Sequence, residues 1–155
     1  MLTGYYHRDE ATQEAFADGW YLTGDYGFIA DGEVYVSGRK KDLIIVGGKN
    51  VYPQDLEELT YEVPGVHPGR SVAFGMFNDE QGTEDVVIIA ETDSEDLAEQ
   101  QVIADAIRQY VTKNSAIALR YVKVVDPKWI VKTSSGKPAR TANKEKFFRE
   151  LALDQ

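Results

Sequence analysis

An α+β fold, a three-stranded sheet flanked by helices and preceded by a β-hairpin, is predicted by three features of the 155-residue sequence. Asp31-Gly32 stands between the alternating runs Tyr26–Ala30 and Glu33–Ser37, which is a strong short-range hairpin signal. Two apolar runs, Ser71–Phe77 and Val86–Ala90, and a third, Arg120–Val125, have strand length and composition. Helical spacing occupies the stretches between and after them.

In chain order, Asp9–Phe16 reads as a short helix with Asp9 as its N-cap and Ala17-Asp18-Gly19 as its exit. Trp20–Asp25 is aromatic and then tightly turned, so Asp25 is expected at the mouth of the hairpin, on a turn. Gly38-Arg39-Lys40-Lys41-Asp42 is a charged junction and the best candidate for a hinge, because glycine absorbs backbone change without a Cβ penalty. Leu43–Val46 is an apolar strand broken by Gly47-Gly48-Lys49-Asn50. Pro53 opens a helix with Gln54, Asp55, Glu57 and Glu58 near the positive end of its dipole, an inner stripe of Leu56, Leu59 and Val63, and Pro64-Gly65 at its end. Ser94 is placed as the cap of a helix reaching about Lys113, with Leu97, Ile103, Ile107, Tyr110 and Val111 inward. Thr141 is placed as the cap of a closing helix through Phe147, Phe148 and Leu151.

The composition excludes several functions. With no cysteine there are no disulfides, thiolate metal sites or cysteine nucleophiles. A formal charge of −9 argues against a dedicated nucleic-acid binder. No apolar run approaches membrane-spanning length and the N-terminus lacks a basic n-region, so a cytoplasmic location is expected. His7 and His67 have no second ligand at metal spacing, and Trp20 and Trp129 read as packing residues at domain edges.

Charge is unevenly spread. From Lys132 to Arg149 the basic residues Lys132, Lys137, Arg140, Lys144, Lys146 and Arg149 stand against Glu145 alone, which points to a small anionic ligand; for Lys144, Lys146 and Arg149 a solvated helix face is the expectation. Within this stretch, Lys132-Thr133-Ser134-Ser135-Gly136-Lys137-Pro138-Ala139-Arg140 is too polar for a core segment and presents its lysine. The hydroxyls of Thr133, Ser134 and Ser135 can donate to anionic oxygens, and Lys137 supplies a mobile positive charge. It is not a Walker A loop, because Gly136-Lys137 is followed by Pro138 and lacks the leading glycine. From this loop alone a solvated connector is the favoured reading, because short motifs of this kind recur without function.

Three stretches taken together, Tyr21-Leu22-Thr23-Gly24-Asp25, Gly38-Arg39-Lys40-Lys41-Asp42 and Lys132 through Lys137, resemble the adenylate-forming superfamily in order and residue type. That superfamily includes acyl-CoA synthetases, fatty acyl-AMP ligases, nonribosomal-peptide adenylation domains and luciferases. The resemblance runs from Gly4-Tyr5-Tyr6 to Arg149 and implies a small C-terminal lid domain preceded by the tail of a larger N-terminal domain: residues 1–37 the end of the N-terminal adenylation domain, residues 38–155 the mobile C-terminal domain, with the hinge near 38–39.

The resemblance also implies roles. Asp25 would accept hydrogen bonds from both ribose hydroxyls of ATP, with Thr23 supporting it, and Arg39 would help hold the ribose and phosphate region. Lys137 would serve adenylation, with Lys132 in support. Gly38 would be the pivot between acyl-AMP formation and transfer to a thiol. Gly47-Gly48 would approach the pantetheine channel; many CoA ligases carry lysine where this chain has Gly47, and Asn50–Glu57 looks closer to fatty acyl-AMP ligases. The implied acceptor is therefore CoA or the phosphopantetheine of an acyl carrier protein. The implied substrates are a carboxylic, chiefly fatty, acid and ATP with Mg2+, the metal being held mainly by the N-terminal adenylation domain. The phosphate loop and acyl pocket would lie in that domain, so the chain is expected to be a fragment with little ligase activity alone. Two other readings stay open: a non-catalytic module of the same fold that docks a carrier protein or separate N-terminal partner, and an unrelated small α+β domain.

Overall fold

The computed structural model describes residues 9–151; Gly4-Tyr5-Tyr6 and His7 lie outside them. The chain divides after Lys41 into two units. The first contains α1 (Asp9–Glu14), a two-stranded hairpin of β1 (Phe16–Ala17) and β2 (Trp20–Tyr21), and a second hairpin of β3 (Asp25–Ala30) and β4 (Glu33–Arg39). Asp9 stands inside the first turn of α1 rather than at its cap. The small β1–β2 hairpin was not expected; Asp18 and Gly19, at φ 50° and 82°, form its turn where a helix exit was read. At the second hairpin, Asp31 and Gly32 take φ 52° and 79°, the left-handed pair that matches strand twist.

The second unit begins with β5 (Ile44–Val46) and β6 (Lys49–Val51), followed by α2 (Pro53–Tyr61). Gly47 and Gly48 do not simply break a strand: with φ 55° and 78° they make the turn of an antiparallel hairpin. Next come β7 (Ser71–Asn78), β8 (Thr83–Glu91), α3 (Leu97–Ser115), β9 (Leu119–Val125) and α4 (Arg140–Glu150). The three-stranded sheet has the order β7-β8-β9, antiparallel on one side of β8 and parallel on the other.

Period-two alternation builds a core on each face of this sheet. Ala73, Val86, Ile88, Ala90 and Val122 meet Leu56 of α2 and Ile103, Ile107 and Val111 of α3. Val72, Phe74, Val87, Ile89 and Val125 meet Phe147 of α4 and Ile130 of the segment between β9 and α4. Phe147 packs edge-on to Phe74 with ring centroids 5.6 Å apart.

Several element ends differ from expectation for local reasons. Asp96, not Ser94, caps α3, accepting from the amides of Ala98 and Glu99; the Ser94 hydroxyl accepts from the Asp96 amide and donates to Glu99. Leu97 is consequently outside the core and 80% exposed, and Tyr110 also faces outward. Helix α2 ends at Tyr61, before Pro64-Gly65. Helix α4 starts at Arg140 with Ala139 at the cap position and no side-chain cap, so Thr141 is an interior first-turn residue. Among the described residues no helix is long and apolar enough to cross a membrane.

Candidate active-site elements

The first unit positions Asp25 by strand pairing. Asp25 opens β3 instead of sitting on a turn, and its Cα partner across the ladder is Arg39, the last residue of β4. Arg39 Nε lies 3.6 Å from Asp25 Oδ1, with the two side chains 60% and 30% exposed. Such an open pair contributes little stability, but it leaves a carboxylate and a guanidinium side by side and reachable. Thr23 Oγ1 accepts from the Asp25 amide at 3.2 Å, and the Lys40 amide donates to Gly24 O at 2.8 Å, so both flanks of Asp25 are braced. Gly38 lies in β4 opposite Tyr26, next to an irregularity between Tyr26 and Gly27. A Cβ on Gly27 would sit 2.4 Å from Tyr35 O, so only glycine allows the two strands to approach there.

In the second unit Lys137 is exposed on a loop that is tightly self-bonded. Lys132 and Pro138 form an antiparallel bridge, and the Thr133 amide donates to Lys137 O at 2.8 Å. The Gly136 amide closes a turn onto Thr133 O at 2.9 Å, with Gly136 at φ 80°. Thr133 Oγ1 lies 2.9 Å from Ser135 Oγ and donates to Lys137 O at 3.2 Å. Two hydroxyls expected to meet an anion thus spend hydrogen bonds holding the loop in shape.

Below the loop lies a polar assembly that sequence reasoning missed. Asn143, fully buried, accepts from the Val131 amide at 2.8 Å and donates to Val131 O at 2.8 Å and Ala139 O at 2.9 Å. Arg140 does not join a basic surface for an anion. Its side chain is 13% exposed and donates to Glu57 Oε1 at 2.6 Å, Asp42 Oδ2 at 3.1 Å and Ala73 O at 2.8 Å. Glu57 also accepts from the Ala73 amide at 2.8 Å. Burial pushes the Glu57 carboxyl above its usual range, against the opposing pull of Arg140 and the Ala73 amide.

Lys144 and Lys146 likewise depart from the expected solvated face. The Lys144 ammonium donates to Gly75 O, while Lys146 donates to Trp129 O at 2.7 Å and sits 4.3 Å from the centre of the Trp129 ring. Arg149, 69% exposed, is solvated as expected. A signal for Glu57 was present: Pro53, Leu56, Glu57 and Thr60 form the buried i, i+3, i+4, i+7 stripe of α2, legible once a polar member is admitted.

The Gly47-Gly48 turn is tied to β8 by side chains. Thr83 Oγ1 accepts from the Gly47 amide at 2.7 Å and donates to Ile45 O at 3.0 Å, and Glu84 Oε2 accepts from the Ile45 amide at 2.6 Å. The structure therefore groups Asp25, Arg39 and Thr23 in the first unit, and separately Lys132 with Lys137 and Gly47 with Gly48 in the second. Among the described residues no cluster of three or more His, Cys, Asp or Glu side chains is arranged to hold a metal ion.

Comparison with known proteins gives a consistent set of relatives. The long-chain-fatty-acid–CoA ligase FadD13 of Mycobacterium tuberculosis is 36% identical over 148 residues, covering 95% of this chain and 28% of that protein. The medium-chain-fatty-acid–[acyl-carrier-protein] ligase JamA of Moorena producens is 35% identical over 168 residues, covering 100% of this chain and 28% of that protein. The solved structure of McyG A-PCP complexed with phenylalanyl-adenylate superposes with a TM-score of 0.84 at 32% identity, over 97% of this chain and 27% of that one. The chain thus spans about 28% of the length of the curated relatives it matches. No protein-family model matches it.

Proposed function

Since the chain belongs to the adenylate-forming superfamily and corresponds to its C-terminal part, we propose that it is the mobile lid of an AMP-forming acyl ligase. The ligase would activate a carboxylic, chiefly fatty, acid with ATP and pass the acyl group to a thiol. In the first step a carboxylate oxygen attacks the α-phosphorus of ATP, and the bond to the departing pyrophosphate breaks. Both reactants are anionic, so an ammonium between them favours the transition state; Lys137 is the residue for that place. Asp25 fits the ribose, because an exposed carboxylate can accept from two hydroxyls at once, and Arg39 beside it fits the phosphate region. In the second step the thiol of CoA or of carrier-protein phosphopantetheine attacks the acyl carbon, loses its proton and releases AMP. Gly47 and Gly48 would border that thiol's path, with Gly38 as the pivot between steps and Mg2+ held by the N-terminal adenylation domain.

The observation that carries this reading is the exposed Lys137 on a loop braced within itself and pinned from beneath, an expense of buried polar groups that a solvated connector does not need. Further support comes from Ile29, Val34 and Val36, which share one face of a two-stranded hairpin and are 75%, 73% and 67% exposed. An isolated hairpin is marginal in water, so these side chains suit a covering body, the N-terminal adenylation domain. The same face also suits a non-catalytic module docked to a separate partner. Carboxylate-dependent exchange of labelled pyrophosphate into ATP separates the two. No exchange is expected from the chain alone, and exchange is expected once the N-terminal domain is supplied; its absence in both, with folding verified, leaves the docking module.

A further inference from the structure

We propose that Asn143 is a positioning residue for Lys137, a single buried amide that clamps both ends of the lysine loop; the proposal rests on the reading of Lys137 given above. The residues that enter and leave the loop are Val131 and Ala139, joined by one backbone bond from the Ala139 amide to Val131 O at 2.9 Å. Asn143 doubles that closure. Its Nδ2 gives one hydrogen to Val131 O and the other to Ala139 O, while its Oδ1 takes the Val131 amide. Two carbonyls and one N–H admit only this orientation of the amide, so donors and acceptor are unambiguous.

The side chain is fully buried and lies in the first turn of α4, the helix anchored to the sheet by Phe147 against Phe74. Helix α4 is pinned again by Arg140 on Glu57, Asp42 and Ala73. Asn143 therefore carries the rigidity of the core to the base of the loop. From there the Lys132–Pro138 bridge and the Thr133–Lys137 bond carry it to Lys137. A catalytic ammonium needs such support, since displacement by about 1 Å costs up to roughly 10²-fold in rate.

Only a carboxamide offers two donors and an acceptor in this arrangement, and glutamine would carry it one methylene too far from the helix. An alanine removes all three bonds. Aspartate keeps the volume, but its ionised carboxylate would face two carbonyl oxygens with no hydrogen to give; protonation returns one donor, so the closure recovers in part as pH falls.

Two experiments test the clamp. In amide hydrogen exchange on the chain, Asn143→Asp is expected to speed exchange at Thr133, Gly136 and Ala139 by about tenfold or more at neutral pH, leaving Ile88 and Ile89 of β8 unchanged. Unchanged loop protection in Asn143→Asp overturns the proposal. So does a uniform loss across β8 in both Asn143→Asp and Asn143→Ala, which would make the residue a general folding determinant. In the ligase complete with its N-terminal domain, Asn143→Asp should lower pyrophosphate exchange by up to about 10²-fold, with partial recovery at lower pH relative to the unsubstituted protein. Thiol transfer from preformed acyl-AMP should change less than about twofold, because the amide serves the first step only. Lys137→Ala run alongside distinguishes the failures. If it abolishes exchange and Asn143→Asp does not impair it, the clamp is wrong; if Lys137→Ala is itself without effect, the assignment of Lys137 is wrong and the protection of the loop amides alone decides the clamp.

Discussion

Arg140 Nη2 stands 2.6 Å from Glu57 Oε1, with the two side chains 13% and 9% exposed, joining the start of α4 to the middle of α2. Removing one partner leaves the other charged and buried. Arg140→Ala is expected to destabilise the chain by about 3 kcal/mol or more, read as a lowered urea midpoint with unchanged m-value. Replacing both residues by apolar side chains of similar volume should recover most of that loss. A change under about 0.5 kcal/mol for the single variant would show that water reaches the pair and screens it.

The same carboxyl sets a pH dependence. Burial raises Glu57 above its ordinary 4.5, so the folded state holds its proton more tightly than the unfolded chain. Its stabilisation is full below 4.5 and fades as pH rises through the higher folded value. Asp93 has the opposite sign. The hydrogen bond from His67, 2.8 Å away, holds it below its ordinary 3.8, so its contribution is present above 3.8 and fades as pH falls through the lower folded value. Urea midpoints measured across the acid range should show Glu57→Gln flattening only the limb above 4.5. An unaltered limb would mean that Arg140 outweighs burial.

Lys137→Ala should lower adenylation in the complete ligase by roughly 10²–10³-fold, as for loss of one preorganised donor. Transfer from preformed acyl-AMP should fall less. Separate rapid-quench measurement of the two half-reactions checks this, and equal losses would mean that Lys137 orients the whole lid.

Thr83→Val keeps the shape of the side chain and removes the hydroxyl that bonds both Gly47 and Ile45 O. About 1.4 kcal/mol of local stability corresponds to a tenfold faster amide exchange at Gly47. In the complete ligase the thiol step should suffer more than adenylation. A reversed order would remove the Gly47-Gly48 turn from the thiol's path.

Gly27→Ala places a methyl 2.4 Å from Tyr35 O, a backbone atom that cannot swing away. The β3–β4 hairpin should loosen, with exchange at the amides of Phe28 and Val36 accelerated, and Asp25 and Arg39 should lose their register. A native exchange pattern would show that the strands shift to accept the methyl.

Where backbone preference or short-range periodicity decides, the residues themselves announced the outcome. Asp31-Gly32 selects a hairpin because both positions tolerate positive φ, and the alternating strands 71–77 and 86–90 must bury two faces. Gly47-Gly48 was legible as a break but not as a turn, since the returning strand Lys49–Val51 is only three residues long. The lysine loop was legible too, because its polarity and Gly136 exclude a core position.

What the sequence by itself determined is therefore the α+β class with its three main sheet strands, the Asp31-Gly32 hairpin and the presentation of Lys137, whereas pairing of Asp25 with Arg39 at the hairpin's open end came with the structure. Tertiary structure alone decided which polar residues are buried to hold these in place. Arg140 meets Glu57 across 83 positions and Asp42 across 98, and Lys144 meets Gly75 across 69. Whether a charged side chain faces water or a partner depends on what lies opposite it after the sheet has formed, and no local preference encodes that. Asn143 is the clearest case, since one interior residue of a mostly polar helix is buried by packing and then has to satisfy itself on the loop above it.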